Sequence, residues 1–376
     1  MRVAVISRVF SKSAGGAESY SVALVQYLAA RHEVHVFSQE SNHPVAGVIY
    51  HRVFCLCRKP RWINQLVFAI CTWWQSRRGF DVVHSHENTW HGHIQTIHVR
   101  PLRHNLFFAA QGFHSFLRWI KVFLSPRLIT YMLLEGSRFR GDLGRRVVAT
   151  SENLQTECMQ AYGNSLVPIS VITPGTTFHP NLPSRQLARE TLGLPQAGNL
   201  VLFVANDYAR KGLDTLLNAL ACLPVDVGLL VVGNPQSAPR YRHMAESMGL
   251  RKRVYFLGSL EDLSDVYCAA DCLAHPTLED SFAMVVLEAM AHGLPVVVSG
   301  PKYCGISRQL TQGVDSLILD DPRDTQILAK FVGSILNNPE LCITLRSQGF
   351  LFAEKHSWES AAKKYEKLYF EVVSEH

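Results

Sequence analysis

Strand-like and helix-like stretches alternate along the whole chain, and this alternation restricts the fold more than any other feature. "VAVIS", a glycine-containing loop, the helix pattern "AESYSVALVQYLAARH" and "EVHVFS" make a first βαβ unit, and "VVHSH", "IQTIHV" and "RRVVATS" continue the strands. A second start follows at "NLVLFVAN", with a loop, the helix "GLDTLLNALACLP" and the strand "GLLVVG"; "RVYFLG", "DCLAHP" and "PVVVS" extend it. Strands joined through helices pair in parallel, because a helical crossover returns the chain to the same end of the sheet and covers its face. Two such starts predict an α/β chain of two Rossmann-like, doubly wound parallel-sheet domains. The stretch "TPGTTFHPNLPSRQ" (173–186), rich in Pro, Thr and Gly, marks the boundary. The expected organisation is a domain over 1–176, a second over 177–355 and a closing helix over 356–376. That helix carries Trp358, Ala361, Ala362, Tyr365, Leu368 and Tyr369 at helical spacing, and packing back on the first domain is one way to bury the stripe. Ligands of open α/β sheets bind beyond the carboxyl ends of the strands, so two such sheets facing each other are expected to leave one cleft.

The totals agree with this reading. The 376 residues suffice for two sizeable cores, and 47% hydrophobic with 18% charged residues is a globular composition. Met1 leads directly into "RVAVIS", so no secretory signal is expected, and no apolar run reaches the ~18 residues of a membrane span. The nine scattered cysteines suit a reducing cytoplasm. Cys55-x-Cys57 is too tight for a zinc knuckle and Cys268 and Cys272 fall on an apolar helix pattern, so these are read as buried thiols.

The net charge of +6 is uneven: residues 1–176 hold 19 Lys and Arg against 9 Asp and Glu, and the remainder holds 18 against 22. Two segments, 58–80 and 99–127, interleave the basic residues with Trp and Phe. They predict a peripheral contact with an anionic membrane surface, on the cytoplasmic side; the alternative is core helices with basic edges. No recognised nucleic-acid-binding module accompanies the charge, so no nucleic-acid partner is expected.

Four stretches carry chemistry. Gly15 and Gly16 precede the first helix, where a bare backbone lets a ligand approach a positively biased helix end, although the loop lacks the spacing of a dinucleotide fingerprint. Arg210 and Lys211 stand in the first strand-to-helix loop of the second domain; a guanidinium and an ammonium there suit a diphosphate, or are a solvated basic turn. The stretch "LEDSFAMVVLEAMAHGLPVVVS" (278–299) predicts a helix with Ser281 as its possible N-cap and Gly293 and Pro295 as its stop. Asp280 then sits just before the helix and Glu288 roughly 10–12 Å along it. Such a pair is too far apart to share a proton, yet it can grip two ends of an anionic ligand whose middle meets the first-turn amides, as a sugar nucleotide would; solvated carboxylates are the alternative. Finally, "HSHENTWHGHIQTIH" (84–98) gathers His84, His86, His91, His93 and His98. No nearby Cys or Asp completes a metal set, so no metal is expected. His98, which ends a strand, is expected to serve the active site as a hydrogen-bonding group.

With these motifs assembled, the chain resembles the family 4 glycosyltransferases of the GT-B architecture over nearly its full length, through "SAGGAE", "VVHSHENTW", "VVATSENLQ", "VITPGTTF", "ARKGLDTLLNAL" and "AADCLAHPTLEDSFAMVVLEAMAHGLPVVVS". Within that family "FVANDYARKGLD" and the basic aromatic stretch are most similar to the lipopolysaccharide core glucosyltransferases. The resemblance implies a retaining hexosyltransferase that moves a sugar such as glucose from a UDP-sugar to a lipopolysaccharide core or other lipid-linked glycan, with no cofactor and no metal. It implies that Glu288 holds the ribose, that Asp280 and the amides of Phe282, Ala283 and Met284, with Ser281 beside them, hold sugar and diphosphate, and that Arg210 and Lys211 neutralise the leaving group. Leu260 would meet the base, and the Gly15-Gly16 loop would close over the leaving group from the first domain. The family's motif is E-x7-E, whereas here it reads Asp280-x7-Glu288, and the turn "TPGTTF" lacks the family's Asp. Two other readings share the shape: a sugar-nucleotide 2-epimerase and a non-catalytic membrane-binding relative.

Overall fold

The computed structural model describes all residues except 13, 14, 109–121, 123, 142, 143, 164–166 and 376, so 109–121 and 123 of the basic segment 99–127 lie outside the described residues. The chain forms two compact units. One comprises Met1–Pro174 together with the chain from Trp358 onward, and the other is Gly175–Ser357.

The first unit is built on a seven-stranded sheet of β1 (Arg2–Ile6), β3 (Glu33–Ser38), β5 (Val48–Arg52), β6 (Val82–Ser85), β7 (Ile94–Ile97), β8 (Arg146–Ala149) and β9 (Ile169–Val171). Their order is β5-β3-β1-β6-β7-β8-β9, and every pair is parallel. β2 (Val9–Phe10) and β4 (Glu40–Ser41) form a separate small ribbon. Ala4 and Ile6 point to one face, where they meet Phe37, Phe68 and Val83. The helix Gly16–Leu28 follows β1, as the pattern predicts.

The closing helix, Trp358–Ser374, belongs to this unit and packs on the helix Gly16–Leu28 and on β6. All six residues of its predicted stripe are buried. Burying an apolar side chain is worth about 1.5–3 kcal/mol, but here the stripe also carries hydroxyls that require partners. They find them: the Tyr365 hydroxyl lies 2.9 Å from both the Tyr20 hydroxyl and Thr96 Oγ1, and the Tyr369 hydroxyl 2.7 Å from His84 Nδ1. His84 Nε2 in turn lies 2.7 Å from Thr96 Oγ1. His84, part of the histidine-rich stretch, thus joins strand to closing helix.

The second unit carries a six-stranded parallel sheet of β10 (Asn199–Ala205), β11 (Val227–Gly233), β12 (Val254–Gly258), β13 (Cys272–His275), β14 (Val296–Ser299) and β15 (Leu317–Leu319), in the order β12-β11-β10-β13-β14-β15. Helices cover both faces, so the strands read as unbroken apolar runs. Val201, Phe203 and Ala205 join one core, while Leu200, Leu202 and Val204 of the same strand join the other. The order reverses direction between β10 and β13, which places a crevice beyond their carboxyl ends. Two glycines are obligatory at this edge. A Cβ on Gly212 (φ 83°) would fall 2.0 Å from the Pro276 carbonyl oxygen, and one on Gly233 (φ 140°) 1.7 Å from that of Ala205.

Three expectations need correction. Cys55 is exposed and Cys57 and Cys268 are only half-buried, because Cys55 and Cys57 lie in a loop at the surface; Cys272 is buried, but it opens β13 instead of sitting on a helix. The helix after β13 starts at Met284, with Ala283 and not Ser281 as its N-cap residue. Ala283 takes the left-handed conformation (φ 74°), which costs a residue with a Cβ about 1–2 kcal/mol and is held here by the contacts described next.

Candidate functional site

The reversal point of the second sheet brings together the loop after β10, residues 206–212, and the loop after β13, residues 276–283. The first closes as a tight turn, with the Lys211 amide donating to the Asp207 carbonyl at 3.0 Å. The two loops are stitched by the Leu278 amide, which donates to the Arg210 carbonyl at 2.9 Å. The second loop is anchored on its other side: the Asp280 amide donates to the Tyr303 carbonyl at 2.7 Å, and the Gly305 amide to the Asp280 carbonyl at 3.0 Å. Two loops far apart in sequence thereby form one rigid platform at the end of the sheet.

Arg210 and Lys211 play different parts on it. Arg210 is exposed, its side chain 53% accessible, with a loose ion pair to Asp207 at 3.5 Å. Lys211 turns inward, where its ammonium donates to Asp280 Oδ2 at 2.5 Å and to the Glu279 carbonyl at 2.9 Å. Asp280 is fully engaged. Its Oδ1 accepts from the amides of Ala283 at 2.9 Å and Phe282 at 3.3 Å, and its Oδ2 also faces His275 Nε2 at 3.1 Å. Burial opposes the charge on Asp280, but the Lys211 ammonium and the His275 hydrogen bond outweigh it and hold the carboxyl well below its usual range. A carboxylate that accepts first-turn amides is an N-terminal cap supplied from three residues upstream, and it suits the positive end of the helix. Two of the three amides expected to meet a ligand, those of Phe282 and Ala283, thus carry Asp280 in this arrangement, and Met284 opens the helix itself.

Glu288 lies on the helix Met284–Ala291 and accepts from the Tyr267 hydroxyl at 2.8 Å. Burial raises its pKa, and the Tyr267 hydrogen bond works against that rise. Leu260 follows β12, partly buried against the core beneath the platform, and the neighbouring Ser259 hydroxyl donates to the Gly233 carbonyl at 3.1 Å. Sequence reasoning did not single out His275 or Tyr267. The only signal for His275 was its place at the last residue of a strand, the position that made His98 a candidate. A cavity of about 490 Å³ lies at the opposite, amino-terminal edge of this sheet, between Arg185, Asp271, His292 and Arg346, away from the two cations.

In the first unit the carboxyl edge carries Gly15 as the N-cap residue of the helix that Gly16 begins. A Cβ on Gly15 would press on Glu18 Oε2 at 2.7 Å, whereas one on Gly16 would meet nothing. His98 follows β7, its Nε2 3.0 Å from His86 Nδ1 and its ring edge-on to Tyr20 at 4.9 Å between centroids. Burial, together with His86 and Arg138, holds His98 well below the usual imidazole range, so the ring is neutral. Among the described residues no group of three or more His, Cys, Asp or Glu is placed to hold a metal ion.

A 3-2-1-4-5-6 parallel sheet is the doubly wound arrangement of the Rossmann type, and here two cations and a capped helix stand at its reversal point. Comparison with known proteins narrows that class. Residues 14–177 match the profile of Glycosyltransferase Family 4, and residues 184–352 that of Glycosyl transferases group 1. The chain belongs to the family 4 glycosyltransferases and has their GT-B fold. It is 26% identical over 251 residues to the lipopolysaccharide glucosyltransferase WaaG of Escherichia coli K12, a match covering 64% of this chain and 66% of that one. It is 30% identical over 226 residues to the D-inositol 3-phosphate glycosyltransferase of Corynebacterium urealyticum, covering 56% and 53%. The chain thus spans about half to two thirds of the length of these relatives. Among solved structures the fold is similar to WaaG (TM-score 0.82, 20% identity, 96% of this chain and 98% of that one) and to Anabaena HepE bound to UDP-glucose (TM-score 0.75, 19% identity, 98% of both).

Proposed function

We propose that this glycosyltransferase moves a hexose, with retention of anomeric configuration, from a nucleotide-diphospho-sugar such as UDP-glucose to a lipopolysaccharide core or other lipid-linked glycan. The observation that carries the reading is the Arg210–Lys211 pair at the reversal point of the second sheet, beside a helix tip. Cleaving a sugar–phosphate bond builds negative charge on the departing nucleotide, and preorganised cations stabilise that charge where water is displaced. In this reading Arg210 and Lys211 meet the diphosphate, Glu288 the ribose, Leu260 the base, and the Asp280–Met284 segment, including Ser281, the sugar. Gly15, Gly16 and His98 serve from the first domain, which takes the acceptor, while the second takes the donor. The fixed cations supply the charge neutralisation, so the reaction needs no metal or other cofactor.

The same reading includes a peripheral contact with an anionic membrane on the cytoplasmic side. The helix Arg61–Ser76 supports it: Ile70, Trp73 and Trp74 are 48%, 41% and 64% exposed, and the Arg77 guanidinium sits 5.5 and 5.9 Å from the two indole rings. Residues 41–80 contain no Asp or Glu, and Arg58, Lys59 and Arg61 stand at the start of this helix with Arg78 just past its end. Aromatic side chains interleaved with cations suit a headgroup boundary. No helix among the described residues is long and apolar enough to cross a membrane.

Thermal-shift titration with nucleoside diphosphates and their sugars, followed by NMR of the preferred sugar nucleotide with and without glycolipid acceptor, tests the proposal. Transfer that requires the acceptor is expected. Conversion of the sugar without any acceptor would indicate an epimerase, and binding with no transfer to any glycolipid would leave a non-catalytic relative.

A further inference from the structure

His275 ends β13, is 1% exposed, and shares one carboxylate oxygen with Lys211. Asp280 accepts two amides at Oδ1 and an ammonium and an imidazole at Oδ2, and a carboxylate has about four acceptor sites, so its capacity is filled. Because Asp280 only accepts, the His275 ring donates from Nε2. Its Nδ1 is buried with no hydrogen-bond partner. Burial pushes His275 down, more than Asp280 raises it, so the ring is neutral in this arrangement. The other titratable groups at the cluster are Lys211, from the loop after β10, and Cys304, from the segment after β14, whose thiol burial keeps protonated.

A diphosphate and Asp280 compete for the same ammonium. Lys211 gives two of its three N–H donors to Asp280 and the Glu279 carbonyl, and a diphosphate at the third, carrying the greater negative charge, draws the ammonium away from Asp280. Asp280 would then be a nearly buried carboxylate stripped of its counter-ion, while still holding the left-handed Ala283 and the first turn of the helix. The neighbour able to replace the lost charge is His275, already at hydrogen-bond distance from the same oxygen.

We propose that His275 is a positioning residue: when Lys211 turns from Asp280 to the donor diphosphate, His275 takes a proton from solvent at Nδ1 and holds Asp280 in place as an imidazolium. The step moves one proton from buffer to the ring and breaks no covalent bond. It rests on the reading that the donor diphosphate binds at Arg210 and Lys211. The direction follows from linkage: the ring is neutral in the free protein and charged in the complex, so donor binding takes up a proton. Affinity for the donor therefore rises as pH falls from the bound-state pKa to the free-state pKa, by up to about tenfold per pH unit.

Calorimetric titration of the full chain with UDP-glucose, without acceptor, near pH 6.5 in buffers of different ionisation heat measures this uptake. The probe's diphosphate is a diester with no group titrating near neutrality, so buffer-dependent heat reports on the protein. Uptake approaching one proton is expected for the native chain. His275→Gln keeps an N–H donor toward Asp280 but cannot titrate, so it should bind the donor with no uptake, and more weakly than the native chain near pH 6.5 by a margin that narrows toward pH 8. Lys211→Met removes the ammonium from the start, so His275 is charged before binding and uptake is lost although binding weakens. Native binding without buffer-dependent heat, or the same uptake in His275→Gln, overturns the inference and leaves the donor reading standing. Failure of the native chain to bind any sugar nucleotide overturns both.

Discussion

Replacing Arg210 by alanine separates chemistry from stability more cleanly than any other change at the site. Its side chain is more than half exposed, and its single ion pair, to an equally exposed Asp207, is long at 3.5 Å. Exposed pairs of this kind contribute about 0–1 kcal/mol, with the lower end apt for so loose a contact, so the folded protein should be essentially unchanged in thermal midpoint. The cost should fall on the reaction. Losing one preorganised donor to a developing anion costs about 10²–10³ in turnover, or about 2.7–4 kcal/mol of transition-state stabilisation. Lys211→Ala provides the contrast. Lys211 is the counter-ion of a nearly buried carboxylate, its side chain 14% and that of Asp280 17% accessible, and removing one partner of such a pair costs about 3–5 kcal/mol of stability. The assay is initial rates of labelled-sugar transfer to glycolipid, with thermal midpoints on the same preparations. Arg210→Ala turning over within a few-fold of the native rate, with the donor still bound, would refute the assignment of the leaving-group cation. A large fall in its thermal midpoint would show that the exposed pair had been misjudged.

Other changes report on neighbouring parts. His98→Ala should lower transfer while leaving the fold intact by circular dichroism, and native turnover would reduce that ring to packing. Asp280→Asn should destabilise the protein at neutral pH. Because the folded-state pKa of Asp280 is depressed, its contribution is complete above the ordinary carboxylate pKa of about 3.9 and is lost as pH falls through the folded value, so the gap between native and variant proteins should begin to narrow in denaturation measured below about pH 3.9. Arg189 is fully buried and donates to Asp271 Oδ2 at 2.9 Å and to the Ala269 and Gly198 carbonyls, so Arg189→Ala should cost about 3–5 kcal/mol, read as a lower urea midpoint. Trp73→Ser with Trp74→Ser should reduce flotation with anionic vesicles and leave turnover of a detergent-solubilised acceptor unchanged; equal flotation would remove this helix from the membrane contact.

Much of the fold was legible because it is written in local periodicity. Unbroken apolar runs such as "LVLFVA" predicted strands buried on both faces, and β10 divides its residues between two cores as that pattern requires. The stripe from Trp358 to Tyr369 predicted every buried position it named on the closing helix. Edge strands were missed: β5 and β9 lie at sheet margins, where half-exposed residues dilute the apolar signal, and β15 is only three residues long. The helix start after β13 was misplaced because Asp280 caps it through two amides from outside the ordinary cap position, a device that needs the left-handed Ala283.

The sequence by itself determined that two parallel sheets form, where each begins, and which loops carry cations, carboxylates and glycines, since all of these depend on residues within a turn or a strand of one another. Only the tertiary structure decided who pairs with whom. Lys211 and Asp280 are separated by 69 positions, and Tyr267 reaches Glu288 across 21. The first pair meets because β10 and β13 lie side by side where the strand order reverses, and the second because the helices before and after β13 share one core, since hydrogen bonds and ion pairs act over a few ångströms of space with no regard for distance along the chain.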